Sequence, residues 1–231
     1  MKVNKEYRHE LKYYLNLGDY EMLRTRLRLT MEQDRYARRN EGEYFIRSLY
    51  FDDADDSAFR EKLAGDNDRD KYRLRIYNMK DDVVKLERKH KEAGYILKES
   101  LDLSRAEAES LLKGDYGVLL NREEPFARRM YRTFLTSLFK PRVIVDYMRE
   151  AYVFPVEDVR ITFDKNVRTG FRSVDLFNPS IITYPAVSGY DMVLEVKFNR
   201  YLPTYVRALL QTEAHARSAI SKYCLCRKYE L

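Results

Sequence analysis

Read at a period of two, at least five segments of the chain divide into a charged face and an apolar face. In KYRLRIY, Lys71, Arg73 and Arg75 share one side, with Tyr72, Leu74 and Ile76 on the other. VVKLERKHK aligns Lys85, Glu87, Lys89 and Lys91. RHELKYYL sets Arg8, Glu10 and Lys12 against Leu11, Tyr13 and Leu15, and VRITFDKNVR sets Arg160, Thr162 and Asp164 against Ile161 and Phe163. MVLEVKFN sets Glu195 and Lys197 against Leu194, Val196 and Phe198. EYFIRSLYFDD, GYILKESLDL and PRVIVDYMREAYVF are rich in strand formers and predict further strands, but their two faces are less cleanly divided.

Helical patterns interleave with these strands. SRAEAESLLKG begins with Ser104 as N-cap and Glu107 three residues on, a capping box, and ends at Gly114. LGDYEMLRTRLRL is amphipathic from about Asp19, DSAFREKLAG ends near Gly65, and PFARRMYRTFLTSLF starts with Pro125 at the first helical position. LPTYVRALLQT and SAISKYCLCRKYEL complete the set. The inventory is α+β and dominated by strands.

Any one charged face is explained by solvent on that side of a sheet. Its recurrence, with Arg and Lys favoured and a Glu within two residues of a Lys in ELK, LERK and LEVK, asks for more. The pattern predicts a closed antiparallel β-barrel of about eight strands with the charged faces inside and helices packed on the outside. Dry, unpaired like charges would cost several kcal/mol each, so such an interior holds water, balancing carboxylates and a polyanionic ligand.

Composition is consistent with a single domain over residues 1–231. The chain is 45% hydrophobic and 35% charged, with no Gly/Ser- or Pro-rich linker. Its formal charge of +6 favours anionic partners. MKVNKEYRHELKYYL lacks the apolar run of a signal peptide, and no later segment is long and apolar enough to span a bilayer, so a cytoplasmic protein is expected. Cys224 and Cys226 lie too close for an ordinary framework disulfide and lack the partners of a zinc site, which predicts reduced thiols in a helix. His9, His90 and His215 make no metal-binding pair, and His90 alone is placed as a candidate tunnel residue. DDADD, residues 52–56, lacks the Gly and distal Glu of a calcium loop and predicts negative charge at a helix start. No P-loop or G-x-G-x-x-G turn is present.

In order along the chain, RHELKYYL, KYRLRIY, VKLERKHK, YILKESL, YMREAY, VRITFDKNVR, VLEVKF and ISKY resemble the polyphosphate polymerase (VTC) domain of the triphosphate tunnel metalloenzyme, or CYTH-like, superfamily, from near Tyr7 to near Tyr223. The resemblance implies a closed tunnel that binds ATP and inorganic polyphosphate. It implies catalytic roles for Arg73, Arg75, Lys89, Arg149, Arg160 and Lys222, and substrate binding by Lys12, Lys85, Lys98, Lys197 and Ser221. Glu195 would hold a divalent metal, Mn or Mg, aided by Glu10 and Glu87. Phosphoryl transfer needs positioning and charge stabilisation rather than a protein nucleophile, which suits these residue types. On this reading the expected function is transfer of the terminal phosphoryl group of ATP to a growing polyphosphate chain. A tunnel phosphohydrolase and a non-catalytic polyphosphate-binding module are the alternatives.

No nucleic acid is expected as partner, because single-strand binders present open grooves. Unlike larger family members, the sequence leaves no room for an N-terminal phosphate-sensing domain and has no membrane segment. Peripheral association with a membrane-protein partner follows from the resemblance only. If the interior cations repel one another, replacing Arg73 and Arg75 by Ala is expected to harm phosphate binding more than stability, and even to raise the melting temperature.

Overall fold

The computed structural model of the chain describes residues 8–187, 192–210 and 218–230. His215 and the last residues of LPTYVRALLQT lie outside them. The elements run β1 (His9–Leu15), α1 (Leu17–Thr30), β2 (Glu32–Gln33), α2 (Arg35–Arg38), β3 (Tyr44–Asp52), α3 (Ser57–Ala64), β4 (Arg69–Tyr77), β5 (Lys80–Glu92) and β6 (Tyr95–Leu103). They continue with α4 (Arg105–Leu112), α5 (Pro125–Thr136), β7 (Lys140–Phe154), β8 (Val159–Thr169), β9 (Tyr184–Pro185), β10 (Met192–Phe198), α6 (Thr204–Leu209) and α7 (Lys222–Arg227), with short 3₁₀ turns at Tyr116–Asn121 and Val156–Asp158. Among the described residues no helix is long and apolar enough to cross a membrane.

Local chemistry accounts for several boundaries. The Ser104 capping box forms at the start of α4, and Pro125 occupies the start of α5. Asp52 accepts the backbone N–H groups of Ala58 and Phe59, and Asp53 accepts those of Asp55 and Ser57, so the acidic run anchors the first turn of α3.

The strands form one antiparallel sheet in the order β1-β10-β8-β7-β3-β4-β5-β6, with β2 added to β7 and β9 to β8. The sheet curls until its two ends approach, but the expected closed barrel is not formed. Among the described residues β1 and β6 are joined only at an isolated bridge, where Arg8 and Ile96 exchange two backbone hydrogen bonds of 3.1 and 3.2 Å. A seam with one bridge leaves the remaining edge groups outside any ladder, so the sheet is an open half-barrel.

The apolar faces predicted by alternation do look outward. Leu74, Ile76, Leu86 and Leu101 pack under α4 and α5, and Leu15, Ile161, Leu194 and Val196 pack under α1. Helices do not lie only on the outside, however. A third cluster joins Ile46, Tyr50, Val143, Val145 and Tyr147, on the concave side of β3 and β7, to Phe59 of α3 and to Tyr223, Cys224 and Cys226 of α7. This corrects the expectation of an entirely external cover. It also explains the undivided faces of β3 and β7: their central residues are buried on both sides. The two cysteines are buried, unbridged core residues, as predicted.

Candidate functional site

The charged faces of β1, β4, β5, β7 and β10 converge on the concave side, where α7 closes one wall. They enclose a cavity with about 860 Å³ of space free of protein atoms, counting solvent at its mouth. Eleven Lys and Arg side chains line it against two carboxylates, Glu10 and Glu195, so its field is strongly positive. β4 supplies Arg69, Lys71, Arg73 and Arg75 at every second position, which the strand period requires. Tyr50, Tyr147 and Tyr223 form the aromatic part of the wall.

Four electrostatic groupings divide this interior. In the first, strand register brings Glu10 opposite Lys197 and Lys12 opposite Glu195. The two carboxylates then share their cations: Lys89 Nζ lies 2.6 Å from Glu10 and 4.0 Å from Glu195, and Lys12 Nζ 3.5 and 3.7 Å from them. Lys197 and Arg149 reach Glu195 at 3.7 and 3.6 Å. Burial alone would raise the Glu195 carboxyl, but Lys197, Lys12, Lys89 and Lys222 hold it well below the usual carboxylate range.

In the second grouping Glu87, 1% exposed, accepts from Arg73 Nε at 2.7 Å, with Arg75 at 3.7 Å and Lys98 in direct contact. Arg73 Nη1 also donates to the Tyr50 hydroxyl at 2.8 Å. Burial would raise that phenol, yet Arg73, Arg75 and Lys222 bring it below its ordinary value. In the third, Asp164 takes a bidentate fork from Arg149 at 2.6 and 2.8 Å and an ion pair from Lys222 at 2.5 Å, which together outweigh its burial and hold its carboxyl near 2. In the fourth, Lys71 Nζ donates to Ser221 Oγ at 2.6 Å and lies over the Tyr223 ring, with Lys62 and Arg69 beyond it. No carboxylate lines this part of the cavity among the described residues.

A family model for the VTC domain matches residues 7–230. The chain belongs to the VTC domain family. No curated protein matches it. Among solved structures, a Hippeastrum protein with a dominant triphosphatase activity aligns at 15% identity and a TM-score of 0.56, covering 98% of this chain and 97% of its own. A Bacillus halodurans protein aligns at 14% and 0.52, covering 90% and 86%. One from Pyrococcus horikoshii aligns at 16% and 0.50, covering 97% and 100%. At these identities the likeness is one of fold, that of the triphosphate tunnel proteins.

The VTC domain brings ten of the fourteen residues singled out from its sequence to the cavity: Glu10, Lys12, Arg73, Arg75 and Lys89, and Arg149, Glu195, Lys197, Ser221 and Lys222. Four are elsewhere. Lys85 pairs with Asp102, near the end of β6, and Lys98 and Glu87 lie behind Arg73 and Arg75. Arg160 donates to Asp34 at 2.5 Å and to the Tyr44 hydroxyl at 3.0 Å. His90 is on the outer face with Arg88 and Asp70, which corrects its placement in the tunnel. Sequence reasoning missed Lys71 as a site residue although it shares a face with Arg73. It also missed Asp164 as the anchor of two cavity cations, although Asp164 was placed on the charged face. Arg69, like Lys71, follows the charged face of β4, whereas Tyr50, Tyr147 and Lys62 carry no local signal.

A divalent cation fits the donor set in part. Glu10 and Glu195 offer neighbouring hard oxygens on adjacent strands, whereas Glu87 is not brought to them. Among the described residues no three His, Cys, Asp or Glu side chains gather as a complete metal cage. Mg²⁺ and Mn²⁺ need only one or two carboxylates when phosphate and water complete the shell.

The cavity predicts an unusual pH response. Lys197 is brought down to about 7, mainly by burial, against the opposing pull of Glu195 and Glu10. Lys71 is brought down to about 7 by burial, opposed by Cys224 and reinforced by Lys12, Lys89 and Arg69. Their ordinary value is 10.5, so between about pH 7 and that value the unfolded chain holds protons that the folded one lacks. Raising the pH through this window therefore stabilises the ligand-free protein. Denaturant melts at stepped pH should show the rise, and Lys71→Met should shallow it; a flat wild-type profile would mean that both lysines remain charged.

Proposed function

We propose that this VTC domain is a metal-dependent polyphosphate polymerase, transferring the terminal phosphoryl group of ATP to the end of a polyphosphate chain held in the cavity. An oxygen of the chain's terminal phosphate forms the new bond to the γ-phosphorus, the bond to the β-phosphate oxygen breaks, and ADP leaves. The observation that carries this reading is the convergence of cavity cations on the Glu10–Glu195 pair, in a chain whose family acts on phosphate chains. Arg73, Arg75 and Arg149 are suited to gripping phosphate oxygens as forks, and Lys12, Lys89, Lys197 and Lys222 to acting as point charges. Glu195 and Glu10 would hold a divalent cation, whose chemistry is neutralisation of charge spread over the phosphate oxygens. Arg149 and Lys222 are set in place by Asp164, so their positions are prepaid before substrate arrives.

The test is incubation of purified protein with ATP and Mn²⁺, with and without a short polyphosphate primer, resolving products by gel and assaying free phosphate. A ladder of lengthening chains with ADP release is expected. Free phosphate without a ladder would replace the polymerase by a hydrolase, and neither product would leave a binding module.

A further inference from the structure

The cavity does not end at Lys71. A groove between α3 and α7, with about 590 Å³ of space counting open solvent, shares Lys62, Ile220 and Ser221 with the cavity and continues to Ser218 and Lys228. Leu63 and Leu225 supply its apolar wall. No carboxylate lines it among the described residues, so the charged groups along the path from Lys71 through Lys62 to Lys228 are all cations. The Glu10–Glu195 end of the cavity is different: there a bare phosphate meets two carboxylates. A linear phosphate chain entering this structure therefore finds one end suited to a reacting terminus and the other suited to unreacted length.

We propose that the groove between α3 and α7 is a product track, holding the length of a linear polyphosphate beyond the terminal phosphates seated in the cavity. This rests on the reading of the cavity as a phosphate-chain site and adds a direction to it: the reacting terminus faces Glu10 and Glu195, and the chain leaves past Lys71, Lys62 and Lys228. On this reading a triphosphate is held by the cavity cations without Lys228, whereas a long chain extends along the groove to it, so the track acts on long chains. It makes affinity depend on chain length without any change at the reacting end.

Lys228, exposed at the end of α7, tests the track without touching the cavity lining. Binding of tripolyphosphate and of a polyphosphate of several tens of units is measured on the full chain by calorimetry at physiological ionic strength. The comparison is between wild type, Lys228→Ala, Lys228→Glu and a control, Arg128→Glu, exposed on α5. Wild type should prefer the long chain. Lys228→Glu should weaken the long chain about tenfold and tripolyphosphate less than about twofold, with Lys228→Ala between and Arg128→Glu equal to wild type. Equal weakening at both lengths, or an equal effect from Arg128→Glu, would reduce the result to net charge and overturn the track. Unchanged long-chain affinity in Lys228→Glu would overturn it as well, as would a wild type without length preference. If wild type binds neither phosphate, the failure belongs to the cavity reading itself.

Discussion

Glu195→Gln is expected to lower metal-dependent turnover about a thousandfold while leaving phosphate-chain binding in place. A divalent cation stabilises transition-state charge by several kcal/mol, and ~4 kcal/mol corresponds to about three decades in rate. Gln keeps the volume and one carbonyl oxygen but removes the charge that would hold such a cation. Removing the charge has a second consequence. Glu195 is 4% exposed, with Lys12, Lys197 and Arg149 all within 3.7 Å, so those cations lose a counter-ion they cannot replace from solvent. Stability should fall by roughly 2 kcal/mol, less than for outright truncation of a buried partner. The pH profile supplies an independent check. Because the folded carboxyl is held well below its ordinary value, Glu195 stabilises the fold above the unfolded value and loses that contribution as pH falls through the folded one. The variant should therefore show a flatter acid limb. Full turnover in Glu195→Gln would remove Glu195 from the metal site. Turnover and binding lost together, with no folded transition left, would instead reveal a structural role.

The strands that divide cleanly in the sequence are those whose two environments are settled locally. β1, β4, β5, β8 and β10 have a helix or the hydrophobic layer on one side and the charged cavity or water on the other, so alternation reports their orientation. β3 and β7 do not, because α7 returns from the far end of the chain to pack on their concave side. A contact of that sequence separation leaves no trace in a local period. The same distinction governs the site. Parity decides the face, and Lys85, Glu87, Lys89 and Lys91 were rightly grouped, but position along the strand decides which of them meets the cavity. Lys85 falls beside Asp102, near the end of β6, whereas Lys89 and Lys91, farther along β5, reach the cavity, Lys89 on Glu10. Arg160 follows the same logic. It shares its face with Asp164, four residues on, yet lies beside Asp34 and Tyr44 rather than in the cavity. Closure was overread for a related reason: an edge pairing between the first and last strands of the sheet depends on how far it curls, which no single strand encodes.

The charge balance of the cavity also revises the idea of simple repulsion among interior cations. Most cavity cations sit on a buried carboxylate: Lys12 and Lys89 on Glu10 and Glu195, Arg73 and Arg75 on Glu87, Arg149 and Lys222 on Asp164. The folded protein thus keeps its phosphate-facing cations in position without ligand by neutralising them from behind, and a bound polyanion meets groups already oriented. Lys71 is held instead by a hydroxyl and an aromatic face, and burial brings it down to about 7. Binding a phosphate chain should recharge it, so affinity and proton uptake are coupled at this position.

Removing Arg73 and Arg75 together should reduce phosphate-chain affinity a hundredfold or more, since two charge-assisted contacts of roughly 1.5–3 kcal/mol each are lost. It should also lower stability by roughly 2–4 kcal/mol, opposite to the rise expected from the strand pattern alone, because Glu87 is 1% exposed and its close Arg73 pair disappears. Lys98, half exposed, stays as its single strong neighbour and offsets part of the cost. The two losses have different origins and so should separate. Adding Glu87→Gln to the double variant removes the stranded carboxylate and should recover most of the stability, measured by denaturant melts, while affinity stays low. Recovery of binding along with stability would show that the arginines serve only to hold Glu87 and the β4–β5 pair. No loss of stability in the double variant would show that Lys98 neutralises Glu87 unaided, and the arginines would then belong wholly to the ligand.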